Sequence, residues 1–164
     1  MPKASGGEGS DLYEIAHTIA LNALVARAKS KGELLAHLKL RGVEDYIAQA
    51  VIFRLQESGL VNDRDFASAW ANSRHSHKKL SKRIIAGELR QKGILQEQID
   101  EALDGIDDES EYRAAFDLAF KKYNTMSRLE ADVQIRRIQS LLARKGFNFG
   151  IISRVLRELD LLQS

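Results

Sequence analysis

Apolar residues recur along this chain at intervals of three and four, the spacing of one helix face, and nowhere in the strict alternation of a half-buried strand. Leu12, Ile15, Ile19 and Ala23 predict a first helix over about 11–29 with those four side chains turned inward. Leu34, Leu35 and Leu38 predict a second. Ser30-x-x-Glu33 opens it as a capping box, and Gly42 closes it, because glycine takes the left-handed conformation without a Cβ clash. Ile47, Ala50, Val51 and Leu55 predict a third helix, over about 44–58, ending at Gly59.

The same arrangement then recurs. Asp63 is expected to cap a helix bearing Phe66, Ala69 and Trp70. A helix over about 81–92 buries Ile84, Ile85 and Leu89, and after Gly93 another carries Ile99, Ala102, Leu103 and Ile106. The third set opens near Asp108 with Tyr112, Phe116, Ala119, Phe120 and Tyr123. It continues from a second expected capping box, Ser127-x-x-Glu130, through Ile135, Ile138, Leu141 and Leu142 to Gly146. It ends with Ile152, Val155, Leu156, Leu159 and Leu162.

Three segments are copies of one another: Leu34-Leu35-x-x-Leu38-x-x-Arg41-Gly42-Val43, Ile85-Ala86-x-x-Leu89-x-x-Lys92-Gly93-Ile94 and Ile138-Gln139-x-x-Leu142-x-x-Lys145-Gly146-Phe147. Their glycines lie 51 and 53 residues apart. A period of that length marks a helical repeat array, which builds binding surface rather than a catalytic pocket. The expected architecture is all-α: three tandem three-helix repeats, over 11–58, 59–107 and 108–164, stacked into an elongated body behind a disordered tail, 1–10. Each unit alone has few large apolar residues, so stacking between repeats is expected to matter for stability.

Composition adds exclusions. The 164 residues contain no cysteine and one proline, Pro2. Disulfides and thiolate metal sites are excluded, and a reducing interior fits. With neither a signal core nor an apolar run of bilayer length, the expected location is the cytoplasm, with no membrane partner.

Net charge is only +2, but it is unevenly placed. Residues 74–92 hold seven Lys/Arg against Glu88; residues 136–157 hold six and no acid; residues 95–118 between them hold nine acids against Arg113. Such alternation predicts a patterned binding surface. Lys79, Arg83 and Arg90 are expected to share one helix face opposite Ile84, Ile85 and Leu89. Arg137, Ser140 and Arg144 are expected to lie opposite Ile135, Ile138 and Leu142. With their neighbours, Lys78, Lys79, Lys82, Arg83, Arg90, Lys92, Arg136, Arg137, Arg144 and Lys145 are the candidate contacts to an anionic partner.

Catalysis finds no support. There is no phosphate-binding glycine loop, no His-Glu-x-x-His and no cysteine nucleophile. Asp63-x-Asp65 lacks the glycine of a calcium loop and reads as a helix start, as does Asp107-Asp108-Glu109. His75-x-His77 lacks a third ligand for zinc. The aromatics are spaced as core residues rather than base-stacking platforms. No cofactor and no metal is expected.

Gly59-Leu60-Val61-Asn62-Asp63-x-x-Phe66-Ala67, then Trp70, Ser73-Arg74, Ile84 and Glu88-Leu89-Arg90-x-Lys92-Gly93-Ile94, resemble the central signature of the RecX family of bacterial recombination regulators. The resemblance covers about residues 12–162. The chain departs at His77-Lys78-Lys79-Leu80-Ser81, where many family members carry a Gly-Pro-rich turn; Ser81 can still cap the following helix. The resemblance implies a curved array of three-helix units. It further implies a non-enzymatic regulator that binds RecA and the RecA–DNA filament and damps strand exchange, ATP hydrolysis and coprotease activity. With no heptad pattern that asks for a coiled coil, a monomer is expected.

Two other readings fit helix–glycine–helix units with basic faces. One is a helix-turn-helix DNA-binding protein, though faces of nearly pure Lys/Arg suit the phosphate backbone better than base edges. The other is a helical-repeat adaptor for a different acidic protein.

Overall fold

The structure is a computed structural model and describes residues 6–161. Among these residues it contains nine helices and no strand. They are α1 (Gly6–Ala26), α2 (Lys31–Leu40), α3 (Asp45–Glu57), α4 (Asp63–Lys78), α5 (Lys82–Gln91), α6 (Gln96–Leu103), α7 (Asp108–Tyr123), α8 (Ala131–Arg144) and α9 (Phe149–Glu158). The chain is all-α, as the periodicity indicates. Helix α1 starts before the expected Asp11. Gly6–Ser10 therefore extend it instead of belonging to a tail, with Glu8 at the positive end of the helix dipole. Residues 1–5 of the expected tail, and Leu162, lie outside the described residues.

By compactness the chain falls into two units. Among the described residues, one unit runs to residue 67 and includes 90–98, and the other comprises 68–89 and the residues from 99 onward. The core of the first is built from Leu34, Leu38, Val51, Ile52 and Leu55 against an alanine seam on α1, Ala16, Ala20 and Ala23. That seam corrects half of the expected α1 face: Ala23 is buried and Ile19 packs against the core, as expected, but Leu12 and Ile15 do not. Leu12 and Ile15 are 47% and 58% exposed. Small side chains let α1 pack closely, so the buried face is turned by roughly 60° from the one its largest residues suggest. The core of the second unit joins Tyr112, Ala115 and Ala119 to Ile138, Leu142, Val155 and Leu156. Phe120, expected inside, is exposed and stacks on Phe116. Each fully buried Leu or Ile contributes about 1.5–3 kcal/mol.

The helix stops are where the glycines place them: Gly42, Gly59, Gly93 and Gly146 have φ of +80°, +78°, +76° and +92°. Ser30 and Glu33 form the expected capping box, and Asp107 caps α7 through the Ser110 N–H at 2.7 Å. Two starts differ. Asn62, not Asp63, caps α4, its Oδ1 accepting from the Asp65 N–H at 3.1 Å. Ser127-x-x-Glu130 is not a capping box. Backbone turns through Met126 and Leu129 consume that stretch, and Glu130 becomes the N-cap of α8 with no side-chain bond.

Each unit contains one copy of the same interlock. In the first, buried Ser30 donates its Oγ–H to the Lys92 carbonyl at 2.6 Å, and the Lys31 N–H at the start of α2 donates to Asp63 Oδ1 at 2.7 Å. In the second, the Ser81 N–H donates to the Lys145 carbonyl at 3.0 Å, and the Lys82 N–H at the start of α5 donates to Glu111 Oε1 at 2.9 Å. A serine-led helix start thus grips the residue before a stop glycine, and a carboxylate from the first turn of another helix takes up an orphan N–H. Single-segment periodicity misses this. Its sequence sign is an acid in the first turn of α4 and again of α7.

Glu33 anchors the first interlock. Burial pushes its carboxyl up, but hydrogen bonds from Arg27 and Lys92 and from the Ser30 N–H outweigh that and hold its pKa at about 2, against 4.5. Glu33→Gln is expected to cost about 2 kcal/mol at neutral pH, after discounting the solvent-screened Arg27 pairing. The folded pKa lies below the unfolded one. The stabilisation is therefore complete above about pH 5 and is lost as pH falls through 4.5 toward 2. Denaturant midpoints of the two proteins, measured from pH 7 to pH 2, should converge at the acid end; a constant gap would show that the charge is not what the variant loses.

Candidate functional site

The first basic block is largely committed within the fold. Arg74 pairs with Glu88 at 3.3 Å and lies 4.2 Å from the Trp70 ring centroid, while Trp70 Nε1 donates to Glu88 at 2.9 Å. Trp70 is half-buried, so it offers no open stacking platform. Lys78, exposed, ends α4, and Lys79 follows it with φ +53°, in the left-handed region that stops the helix. Lys79 therefore precedes α5 and does not share the face of Arg83 and Arg90, as its spacing had suggested. Its ammonium lies 3.6 Å from Asp117, and that of Lys82 lies 3.2 Å from Asp108. The acidic stretch that separates the basic blocks in sequence thus neutralises part of the first one in space.

Arg83 is exposed and has no ion-pair partner among the described residues. Arg90 is exposed, its Nε donating to Gln96 at 3.1 Å. Lys92 points inward to Glu33 and lies 5.9 Å from the Phe66 ring centroid, which makes it part of the interlock. Lys145 is half-buried and donates to the Lys78 carbonyl at 2.9 Å.

The second block behaves differently. On α8, Ile138, Leu142 and Gln134 are buried, Gln134 by donating Nε2 to the Met126 carbonyl at 2.8 Å. At about 100° per residue, Arg136, Arg137, Ser140 and Arg144 fall within about 100° of arc on the opposite side. All four are exposed, and none of the three arginines has an ion-pair partner among the described residues. Exposed cations outside any ion pair keep most of their field, which reaches about one Debye length, or 8 Å, in physiological salt; the nearest acid on α8 itself is Asp132, one turn before Arg136. Of the two basic blocks, this is the one that the fold leaves available.

Metal chemistry gains nothing from the geometry. His75 and His77 lie on α4, where residues two apart diverge, and His75 Nδ1 lies 3.2 Å from the Leu80 carbonyl. Asp63 is held by the Lys31 N–H, with burial raising its pKa. Among the described residues no three His, Cys, Asp or Glu side chains group as a metal site, and no helix is long and apolar enough to cross a membrane.

Comparison with known proteins assigns the family. Residues 62–103 match the family model described as RecX, second three-helix domain, and residues 108–156 that described as RecX, third three-helix domain. The regulatory protein RecX of Streptomyces coelicolor is 37% identical over 148 residues, covering 90% of this chain and 79% of that relative. The chain belongs to the RecX family. RecX of Mycolicibacterium vanbaalenii is 40% identical over 151 residues, covering 88% of this chain and 82% of that one. The crystal structure of RecX from Lactobacillus salivarius matches with a TM-score of 0.81, covering 93% of this chain and 99% of that one. At 24% identity that likeness speaks for the fold alone. Helices α4–α6 and α7–α9 are thus the second and third three-helix domains of a RecX-family regulatory protein, and the α8 arginines belong to the third.

Proposed function

We propose that this chain is a cytoplasmic, non-enzymatic, monomeric regulator of RecA. It binds RecA and the RecA–DNA filament and damps strand exchange, ATP hydrolysis and coprotease activity. Family membership supports the regulatory role. The observation that carries the binding mode is the exposed face of Arg136, Arg137 and Arg144 on α8, none of them in an ion pair among the described residues. Three arginines without partners among the described residues gain contacts on meeting an anionic surface and break no ion pair among those residues. Filament DNA and acidic RecA surface are both suitable anions. Arg83 on α5 adds to this reading; Lys92 and Lys145, bound into the interlocks, serve the fold.

The test is RecA's single-stranded-DNA-dependent ATP hydrolysis, with this protein well below the RecA concentration and DNA in excess. Hydrolysis is expected to fall, since a filament regulator acts without hiding the DNA. Unchanged hydrolysis, together with salt-sensitive DNA binding in the same buffer, would replace this function with plain DNA binding through the phosphate backbone.

A further inference from the structure

The three stop turns that are copies of one another differ in what covers them. Lys92-Gly93 is gripped by the start of α2. Ser30 takes the Lys92 carbonyl, Glu33 takes the Lys92 ammonium, and Gly32 lies so close that a Cβ there would meet the Lys92 oxygen at 2.8 Å. Lys145-Gly146 is gripped by the start of α5. Ser81 takes the Lys145 carbonyl, and a Cβ on Gly146 would collide with Ile84 and the Ser81 hydroxyl. Arg41-Gly42 has the same local build: φ +80° at Gly42, its N–H donating to Lys39, and the Val43 N–H donating back to Leu38. Yet nothing among the described residues lies within 4 Å of a Cβ built on Gly42. The Arg41 carbonyl and guanidinium likewise have no partner among the described residues.

Beside this turn the sequence changes sense. The residue before the cation is Gln91 in one covered copy and Arg144 in the other; here it is Leu40, which is 87% exposed. A leucine presented at the end of a helix, next to an unsatisfied carbonyl and a free guanidinium, has the mixed character of a binding contact.

We propose that Leu40-Arg41-Gly42 is an open copy of the interlock that docks the first turn of a helix from another protein. The covered Lys92-Gly93 turn defines the chemistry of that helix, and the Lys145-Gly146 turn, where Ser81, Arg83 and Ile84 stand at the places of Ser30, Gly32 and Glu33, shares its serine N-cap. Ser or Thr at the N-cap bonds the Arg41 carbonyl; a glycine or alanine two residues on permits close approach to Gly42; and a carboxylate in the first turn, like Glu33, pairs with Arg41. An apolar side chain covers Leu40. A second copy of this chain does not supply such a helix. The starts of α2 and α5 are in use, and aligning the stop glycines puts Gln134 where Ser30 and Ser81 stand, inside an extra N-terminal turn of α8. The docking does not depend on what the α8 arginines bind.

The test titrates the full-length, isotope-labelled chain with a stapled helical peptide, Ser-Lys-Gly-Glu-Leu-Leu-Ala-His-Leu-Lys-Leu, and follows backbone amides by NMR. The amides of Leu40, Arg41, Gly42 and Val43 are expected to move saturably. The movement should vanish with a peptide whose Ser is replaced by Ala and whose Gly is replaced by Val. Arg41→Glu in the chain should weaken the interaction at least about fivefold, the loss of a kilocalorie-scale contact. No saturable movement, equal movement with the altered peptide, or movement at Gly93 instead would each overturn the proposal. So would a shift of the Gly42 amide with protein concentration alone, which would assign the turn to a second copy.

Discussion

Gly146→Ala is expected to lower stability by about 4 kcal/mol, while Gly42→Ala costs only about 1, although both replace a stop glycine with φ near +80° to +90°. The backbone penalty is common to the two: an L side chain in the left-handed region costs about 1–2 kcal/mol. The difference is packing. At Gly42 a Cβ enters open space; at Gly146 it strikes Ile84 and the Ser81 hydroxyl that caps the Ile84 N–H. Relief would require Ser81 to abandon its cap or α5 to shift, and overpacking of that kind costs about 1–3 kcal/mol. For a chain of this length 1 kcal/mol moves the melting temperature by about 2–4 °C, so the pair should fall by about 8–16 °C and 2–4 °C. Gly93→Ala belongs between them, because its Cβ would meet the Gly32 Cα at an ordinary 3.4 Å. Equal losses at all three positions would mean that the covered turns are not packed contacts.

The contrast among these glycines also marks how far the sequence could be read. Positive φ is a property of a residue and its neighbours, so all four stops were legible from a glycine after an apolar run, as was the capping box of Ser30 and Glu33. What covers each turn depends on residues 50 or more positions away, and no local pattern encodes that. The same limit explains the misplaced features. The α1 face followed its largest apolar residues, but the partner helices select for close approach and bury alanines. Ser127 and Glu130 have capping-box spacing, yet backbone turns satisfy that stretch first. Lys79 falls into helical register with Arg83 on paper; its left-handed backbone breaks the register. The charge blocks were visible, but not that Asp108 and Asp117 would lie against Lys82 and Lys79. Only the folded chain distinguishes a neutralised cationic block from one left open.

That distinction gives the second large effect. Reversing Arg136, Arg137 and Arg144 together to Glu should weaken binding to the RecA–DNA filament by at least about 100-fold, since each site loses an attraction and gains a repulsion, roughly 1 kcal/mol or more apiece. Helicity and melting temperature should hold, because these side chains are exposed and have no partner among the described residues to lose. Lys92→Glu is the informative contrast. It sets a second carboxylate against Glu33 and should unsettle the first unit, so any loss of binding there comes with a loss of stability. Salt dependence then separates the two anions. If the arginines contact phosphates, removing three contacts flattens the slope of log affinity against log salt by about 2–3. If they meet acidic protein surface, no counterion sheath is released and the slope changes by less. Filament binding that survives the triple reversal would reduce the α8 face to solvated surface and move the search to Arg83 on α5.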